Sequence, residues 1–141
     1  MSEAGKVLYL DCKFEALGRR DAVIETRNEE HPEIILVAEW EWDYNDIFGK
    51  GKELEKLKDT CKLYKSADAF LLTYCPRKFY SSYLQQVAHY WINAHKRLRN
   101  PPIFFLHTVL FEDKKRMREF EMLRTAEIRN NDVFIWNDLE F

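Results

Sequence analysis

Three short runs of β-branched and aromatic residues follow one another near the start of the chain, with only a few polar residues between them. The runs cover residues 7–14, 21–27 and 34–42. Runs of this length and composition are typical of β-strands. Parallel neighbours would need crossover connections of a dozen residues or more, so the three strands are expected to form an antiparallel meander.

The rest of the chain alternates between helical and strand patterns. Three helices are predicted, the first two because apolar residues recur every three or four positions in each. The predicted elements are a helix from residue 49 to about 64, a strand at 68–74, a helix from 81 or 82 to about 98, a strand at 103–111, a short helix at 114–123 and a last strand at 132–136. This order predicts a single domain over residues 1–141, of mixed α/β (α+β-like) class, with helices packed on the faces of a mixed sheet.

Composition sets limits on the function. The 141 residues are 46% hydrophobic and 15% aromatic, enough for one core. A net charge of −2 argues against a general basic coat that wraps nucleic acid, although basic runs at 96–99 and 114–118 allow local contacts. Three cysteines without a CxxC pair, no apolar signal segment and no bilayer-length apolar run predict a cytoplasmic protein that makes no membrane contact.

Acidic residues interrupt the apolar pattern of the third predicted strand. Side chains alternate along a strand, so Glu39, Glu41 and Asp43 share one face with Ile35 and Val37. The opposite face is apolar throughout and is expected to be the core. Neighbouring carboxylates on a strand repel one another. A hard cation such as Mg²⁺, which binds carboxylate oxygens, would relieve that repulsion.

The neighbouring strands are expected to bring further polar groups to the acidic face. Hairpin turns centred on the two polar connections set Asp21 across from Glu39, and Lys13 across from Asp21. This register gathers Lys13, Asp21, Glu39 and Glu41 on one patch. Such a set suits metal-assisted phosphodiester hydrolysis. The three acids are predicted to hold Mg²⁺ or Mn²⁺, and Lys13 or Glu41 to assist the reaction.

The arrangement resembles the PD-(D/E)XK nuclease superfamily, also called restriction-endonuclease-like. In that family the second strand of a meander starts with an Asp, the third strand carries (D/E)-x-K, and a helix and a strand follow. Here Asp21 and the segment Glu39-Trp40-Glu41 stand for the two motifs, within roughly residues 7–75. The resemblance implies a restriction-endonuclease-like core that cleaves DNA or RNA with a divalent metal. Glu41 replaces the lysine of the family, and only residues 1–6 precede the first strand, where the family usually has a helix.

Other interpretations stay open. Glu39 and Glu41 would also fit a solvated strand face near a sheet edge, ion-paired with Lys50, Lys52 or Lys13. If the metal site is real, Lys50 and Lys52 lie just beyond it and would contact phosphates at a helix N-terminus.

Two further alternatives concern the whole chain. One is a non-catalytic binding or assembly module on the same fold, and the other is an unrelated α/β interaction domain. A homodimer is attractive because a second copy would supply the missing helix or a second active site.

Overall fold

Alternating apolar residues build one eight-stranded mixed sheet in the computed structural model, which describes residues 10–16, 20–27 and 30–141. A short 3₁₀ turn precedes the second of two α-helices. The elements are β1 (Leu10–Ala16), β2 (Arg20–Thr26), β3 (Ile34–Glu41), α1 (Glu53–Leu63), β4 (Asp68–Pro76), α2 (Tyr80–His95), β5 (Phe104–Lys114), β6 (Met117–Arg129), β7 (Asp132–Ile135) and β8 (Leu139–Glu140).

The strand order confirms the predicted class. Strands β1 to β7 lie side by side in chain order, and β8 pairs with β6. The antiparallel meander β1-β2-β3 is confirmed, whereas β4 pairs with β3, and β5 with β4, in parallel. Each parallel step is made through one helix, as parallel connections require. The antiparallel strands β6 and β7 complete the sheet.

One strand register is confirmed and the other is corrected. Across β2 and β3, Ala22 faces Ala38 and Val23 faces Val37, as predicted, and the next step along this register sets Asp21 across from Glu39. Across β1 and β2, Lys13 faces Val23 rather than Asp21, a shift of two residues. A shift of two keeps each side chain on its face but moves it along the strand.

Both helices pack on the same face of the sheet, so the expectation of helices on both faces is wrong. Leu54 and Leu57 of α1, together with Val87 and Trp91 of α2, join one buried cluster. The sheet contributes to that cluster only residues of one face, among them Val23, Val37, Ala69, Leu71, Phe104, Leu106, Leu110, Ala126 and Ile128.

The two faces of β3 are therefore the reverse of the prediction. Val37 and Glu39 point toward the helices and are fully buried. Trp40, on the face that was expected to be core, is 44% exposed. No helix of the described chain packs on that second face, which we call the open face. It is lined by Leu36, Trp40, Phe70, Leu72, Phe105 and Val109, which are half-buried or exposed.

The tail also differs from the prediction. Residues 114–123 belong to the long hairpin β5-β6 and not to a helix, because strand pairing with β5 continues from Lys114–Met117 to Phe104–Ile128. Lys115 takes a left-handed conformation at the turn. Asn130 and Asn131 do the same in the β6-β7 turn, as asparagine tolerates in tight hairpins. The last predicted strand is confirmed as β7.

No helix in the described part of the chain is both long and apolar enough to span a membrane.

The helix-packed core predicts a clear contrast between two leucines of α1. Leu57 is fully buried and Leu63 is 72% exposed. We expect Leu57→Ala to lower the free energy of unfolding by about 2–5 kcal/mol because it leaves a cavity. Leu63→Ala should stay within about 0.5 kcal/mol of the unchanged chain. Urea denaturation followed by circular dichroism measures both, and equal losses would contradict the packing of α1.

Candidate functional site

A pair of carboxyl groups lies on the helix-covered face where β2 begins and β3 nears its end. Asp21 stands at the start of β2, and Glu39 stands on β3, in the interior of the sheet between β2 and β4. The Asp21 Oδ2 atom accepts a hydrogen bond of 2.8 Å from the Trp40 N–H. This bond ties the second strand to the third at the level of Glu39. The structure thus brings together the two acids that the sequence paired.

Two cations flank Glu39. The Lys56 Nζ atom lies 3.6 Å from Glu39 Oε2, and the Arg20 Nε atom lies 3.8 Å from Glu39 Oε1. Arg20 also donates a 2.6 Å hydrogen bond to the Thr60 hydroxyl of α1. These long ion-pair distances leave both cations beside the carboxyl group rather than bound to it by hydrogen bonds.

Three polar residues on one side of helix α1 face the region around Glu39. Glu53, Lys56 and Thr60 recur at intervals of three and four, so they share one side of the helix. Lys56 reaches Glu53 at 3.1 Å as well as Glu39. The lysine therefore bridges the helix and the central strand.

Burial controls the chemistry of Glu39. Its side chain is 0% exposed, and neither carboxylate oxygen has a hydrogen-bond partner. Loss of solvation raises the pKa of Glu39 to about 8; Lys56 opposes this rise and the nearby Asp21 carboxylate adds to it. Near neutral pH the carboxyl group thus holds a proton that an ordinary glutamate would release.

Two of the four predicted catalytic residues lie elsewhere. Lys13 forms an ion pair with Glu25 and does not reach Asp21. The Glu41 carboxylate accepts hydrogen bonds from the N–H groups that follow it, at 2.7 Å from Trp42 and 3.2 Å from Asp43. Glu41 is thereby held by the turn after β3 rather than beside Glu39.

The other two predicted lysines, Lys50 and Lys52, lie just before the start of α1. Lys50 is exposed, and Lys52 forms a 2.8 Å ion pair with Asp46. Neither contacts Glu39, whose neighbours are Lys56 and Arg20. The alternative of a solvated edge strand is wrong for Glu39, because this residue is buried in an interior strand.

Lys56 is the functional candidate that the sequence interpretation missed. It belongs to a predicted helix, and its position among many charged residues gave no distinguishing signal. A helical projection of residues 53–60 places it on the same side as Thr60, but only the packing of α1 on β3 shows that this side faces Glu39.

Few of the described side chains near Glu39 could bind a divalent cation. The described residues contain no group of three or more His, Cys, Asp or Glu side chains that could hold a metal. Asp21 and Glu39 are two, and Mg²⁺ commonly takes one or two carboxylates together with waters and substrate phosphates. The two Glu39 oxygens have no hydrogen-bond partner and offer the carboxylate chemistry of such a ligand once Glu39 loses its proton.

Comparisons of the chain with models of known protein families, with curated proteins and with solved structures found no significant match.

The buried carboxyl group predicts a distinctive pH dependence. Because the pKa of Glu39 rises from 4.5 to about 8 on folding, its stabilising effect is complete below pH 4.5 and is lost as the pH rises through about 8. As the pH rises through this window, we expect Glu39→Gln to gain stability relative to the unchanged chain, by on the order of 5 kcal/mol.

Urea denaturation at several pH values measures this difference. Glu41→Gln, which leaves the surroundings of Glu39 intact, is the matched control and should follow the unchanged chain. Parallel stability profiles for Glu39→Gln and the unchanged chain would show that Glu39 titrates normally.

Proposed function

We propose that this chain is a metal-dependent, nuclease-like domain that hydrolyses phosphodiester bonds in nucleic acid. The observation that carries the proposal is the Asp21–Glu39 pair on adjacent strands, with the Lys56 ammonium group 3.6 Å from Glu39. Two acids and a lysine are the groups that the resemblance to the PD-(D/E)XK superfamily implies. Here α1 would supply the lysine, in place of position 41 on β3.

Asp21 and Glu39 would hold Mg²⁺ or Mn²⁺, which supplies Lewis-acid activation of water and of the phosphate. Asp21 is only half-buried, so solvent reaches the pair at Asp21, while Glu39 is buried behind it. Ionised Glu39 would balance part of the positive charge of Arg20 and Lys56.

Lys56 suits the role of an electrostatic assistant rather than a base. Partial burial lowers its pKa, but the hydrogen bond with Glu53 and the charge of Glu39 outweigh this, so the pKa of Lys56 stays above its ordinary value. A protonated amine donates hydrogen bonds to a phosphate oxygen as negative charge develops there. Its contact with Glu53 fixes the position of the ammonium group.

Basic side chains at one end of the sheet support a nucleic-acid substrate. The carboxyl ends of β3, β4 and β5 meet there because these strands are parallel. The turn of the β5-β6 hairpin extends beyond that end with Lys115 and Arg116 exposed. Lys50, before α1, follows the end of β3. Contacts of this type bind phosphates without reading sequence, and they weaken as salt is added.

A non-catalytic module on the same fold is the second candidate. The observation in its favour is the complete burial of Glu39 between Lys56 and Arg20, which also describes a structural ion cluster. A purely structural cluster needs no metal. Metal binding therefore separates the two candidates.

The nuclease proposal predicts Mn²⁺- or Mg²⁺-dependent cleavage of plasmid, single-stranded DNA or RNA by the purified chain. Asp21→Asn and Glu39→Gln should abolish cleavage, and Lys56→Met should lower the rate by roughly 100-fold or more. Lys13→Met is the matched control, because Lys13 faces Val23 rather than Asp21 and is paired with Glu25. Cleavage that survives in Glu39→Gln would identify a contaminating nuclease.

Calorimetric titration with Mn²⁺ gives an independent measurement. We expect binding by the unchanged chain and by Lys56→Met, with loss of binding in Asp21→Asn and Glu39→Gln. Absence of binding by the unchanged chain would reject the metal site and favour the non-catalytic module.

A further inference from the structure

We infer that the open face of the sheet is a dimerisation surface that packs against the open face of a second copy of this chain. The inference concerns the face opposite the candidate metal site and does not rest on the proposed function. The starting observation is that the apolar side chains of this face belong to no buried cluster in the described part of the chain, because α1 and α2 both cover the other face.

The open face is continuous across the sheet. Strand pairing aligns Phe14, Ala22, Ala38, Phe70 and Phe105 in one row, each beside the next. A parallel row contains Trp40, Leu72 and His107. Beyond it, Tyr74 lies beside Val109 and is stacked by Trp42 at a ring distance of 4.7 Å.

The size of the face matches what a dimer needs. Five strands at a spacing of about 4.8 Å, with alternate residues about 6.7 Å apart along each, outline roughly 600 Å² over four rows. Specific interfaces bury roughly 600–1,000 Å² on each partner. The exposed side chain of Phe134 on β7, which lies beside Glu127 of the open face, widens this surface at its border. Contiguous apolar patches of this size are typical of interaction sites.

The shape of the face favours a sheet over a single helix as its occupant. The five strands span about 24 Å, whereas a helix with its side chains is about 10–12 Å across. One helix would leave half of the row from Phe14 to Phe105 in contact with water. A second sheet, packed about 10 Å away, covers all of it.

The charges of the face allow it to meet a copy of itself. Burial lowers the pKa of His107, so the ring at the centre is neutral at neutral pH. Glu127, toward the β6 side, is already paired with Arg129 and accepts a hydrogen bond from the Trp136 indole. A twofold pairing therefore brings no unpaired like charges together at the centre.

A single lysine on the open face tests the inference. Leu72→Lys introduces a charge near the centre of the face, twice in a twofold dimer, and should raise the dimer dissociation constant by at least about 100-fold. Leu63→Lys, at the exposed end of α1, is the matched control and should leave the constant unchanged. Light scattering during size-exclusion chromatography over a range of concentrations measures the oligomeric state of each.

Tryptophan quenching by acrylamide in the unchanged chain gives a second measurement that does not depend on a variant folding. Because Trp40 lies on the open face, dilution below the dissociation constant should increase quenching while the circular dichroism spectrum stays the same. A monomer at every concentration would overturn the inference, and the open face would then have to be covered by something other than a second copy. A dimer that Leu72→Lys does not weaken would overturn it as well.

Discussion

The crossover from β3 through α1 to β4 is the constraint on which the rest of the structure depends. Since β4 runs parallel to β3, the chain must return along one face of the sheet before it re-enters. The apolar side of α1, with Leu54 and Leu57, settles on the face that carries Val37. Glu39 is two residues further along the same face and is buried by the same contact. The second crossover places α2 on that face too, which leaves the opposite face uncovered by helices.

Burial of Glu39 creates an electrostatic problem that its neighbours only partly solve. Desolvation of a carboxylate costs several kcal/mol unless charge or hydrogen bonds compensate. Lys56 and Arg20 approach no closer than 3.6 Å, and both Glu39 oxygens lack a hydrogen bond. The carboxyl group therefore keeps a proton at neutral pH. A divalent cation and a proton are alternative ways to satisfy these oxygens, so metal affinity at this pair should increase as the pH rises.

Much of the fold follows from local patterns, whereas the covered face does not. The meander, the two helices and the strands β4 and β5 were predicted from periodicity and from short polar connections. The predicted core face of β3 was wrong because apolar content alone does not decide which side of a strand a helix covers. Leu36, Ala38 and Trp40 form the more apolar side of β3, yet α1 covers the side of Val37 and Glu39.

In the interior strands of the sheet, both sides are apolar, which is a further reason why the helix-covered face could not be predicted. Phe70 and Leu72 on one side of β4 are as apolar as Ala69 and Leu71 on the other. The sequence therefore does not indicate which side of β4 packs against a helix. The candidate site was also only partly predictable from the sequence. Asp21 and Glu39 were paired correctly because a hairpin sets the register, while the contact of Lys56 with Glu39 depends on how a helix packs and carries no sequence signal.

The proposed catalytic site and the proposed dimer surface lie on opposite faces of the sheet, so each can be tested without the other. Asp21, Glu39 and Lys56 lie on the helix-covered face, and the surface inferred to form a dimer lies on the other. A dimer made through the open faces would direct its two candidate sites away from each other, with two sheets between them. It would cover the apolar surface without completing either site, unlike the homodimer that the sequence left open, in which a second copy would supply a missing helix or a second active site. Each copy would therefore carry a complete site of its own, and a monomeric variant should keep whatever activity the dimer has.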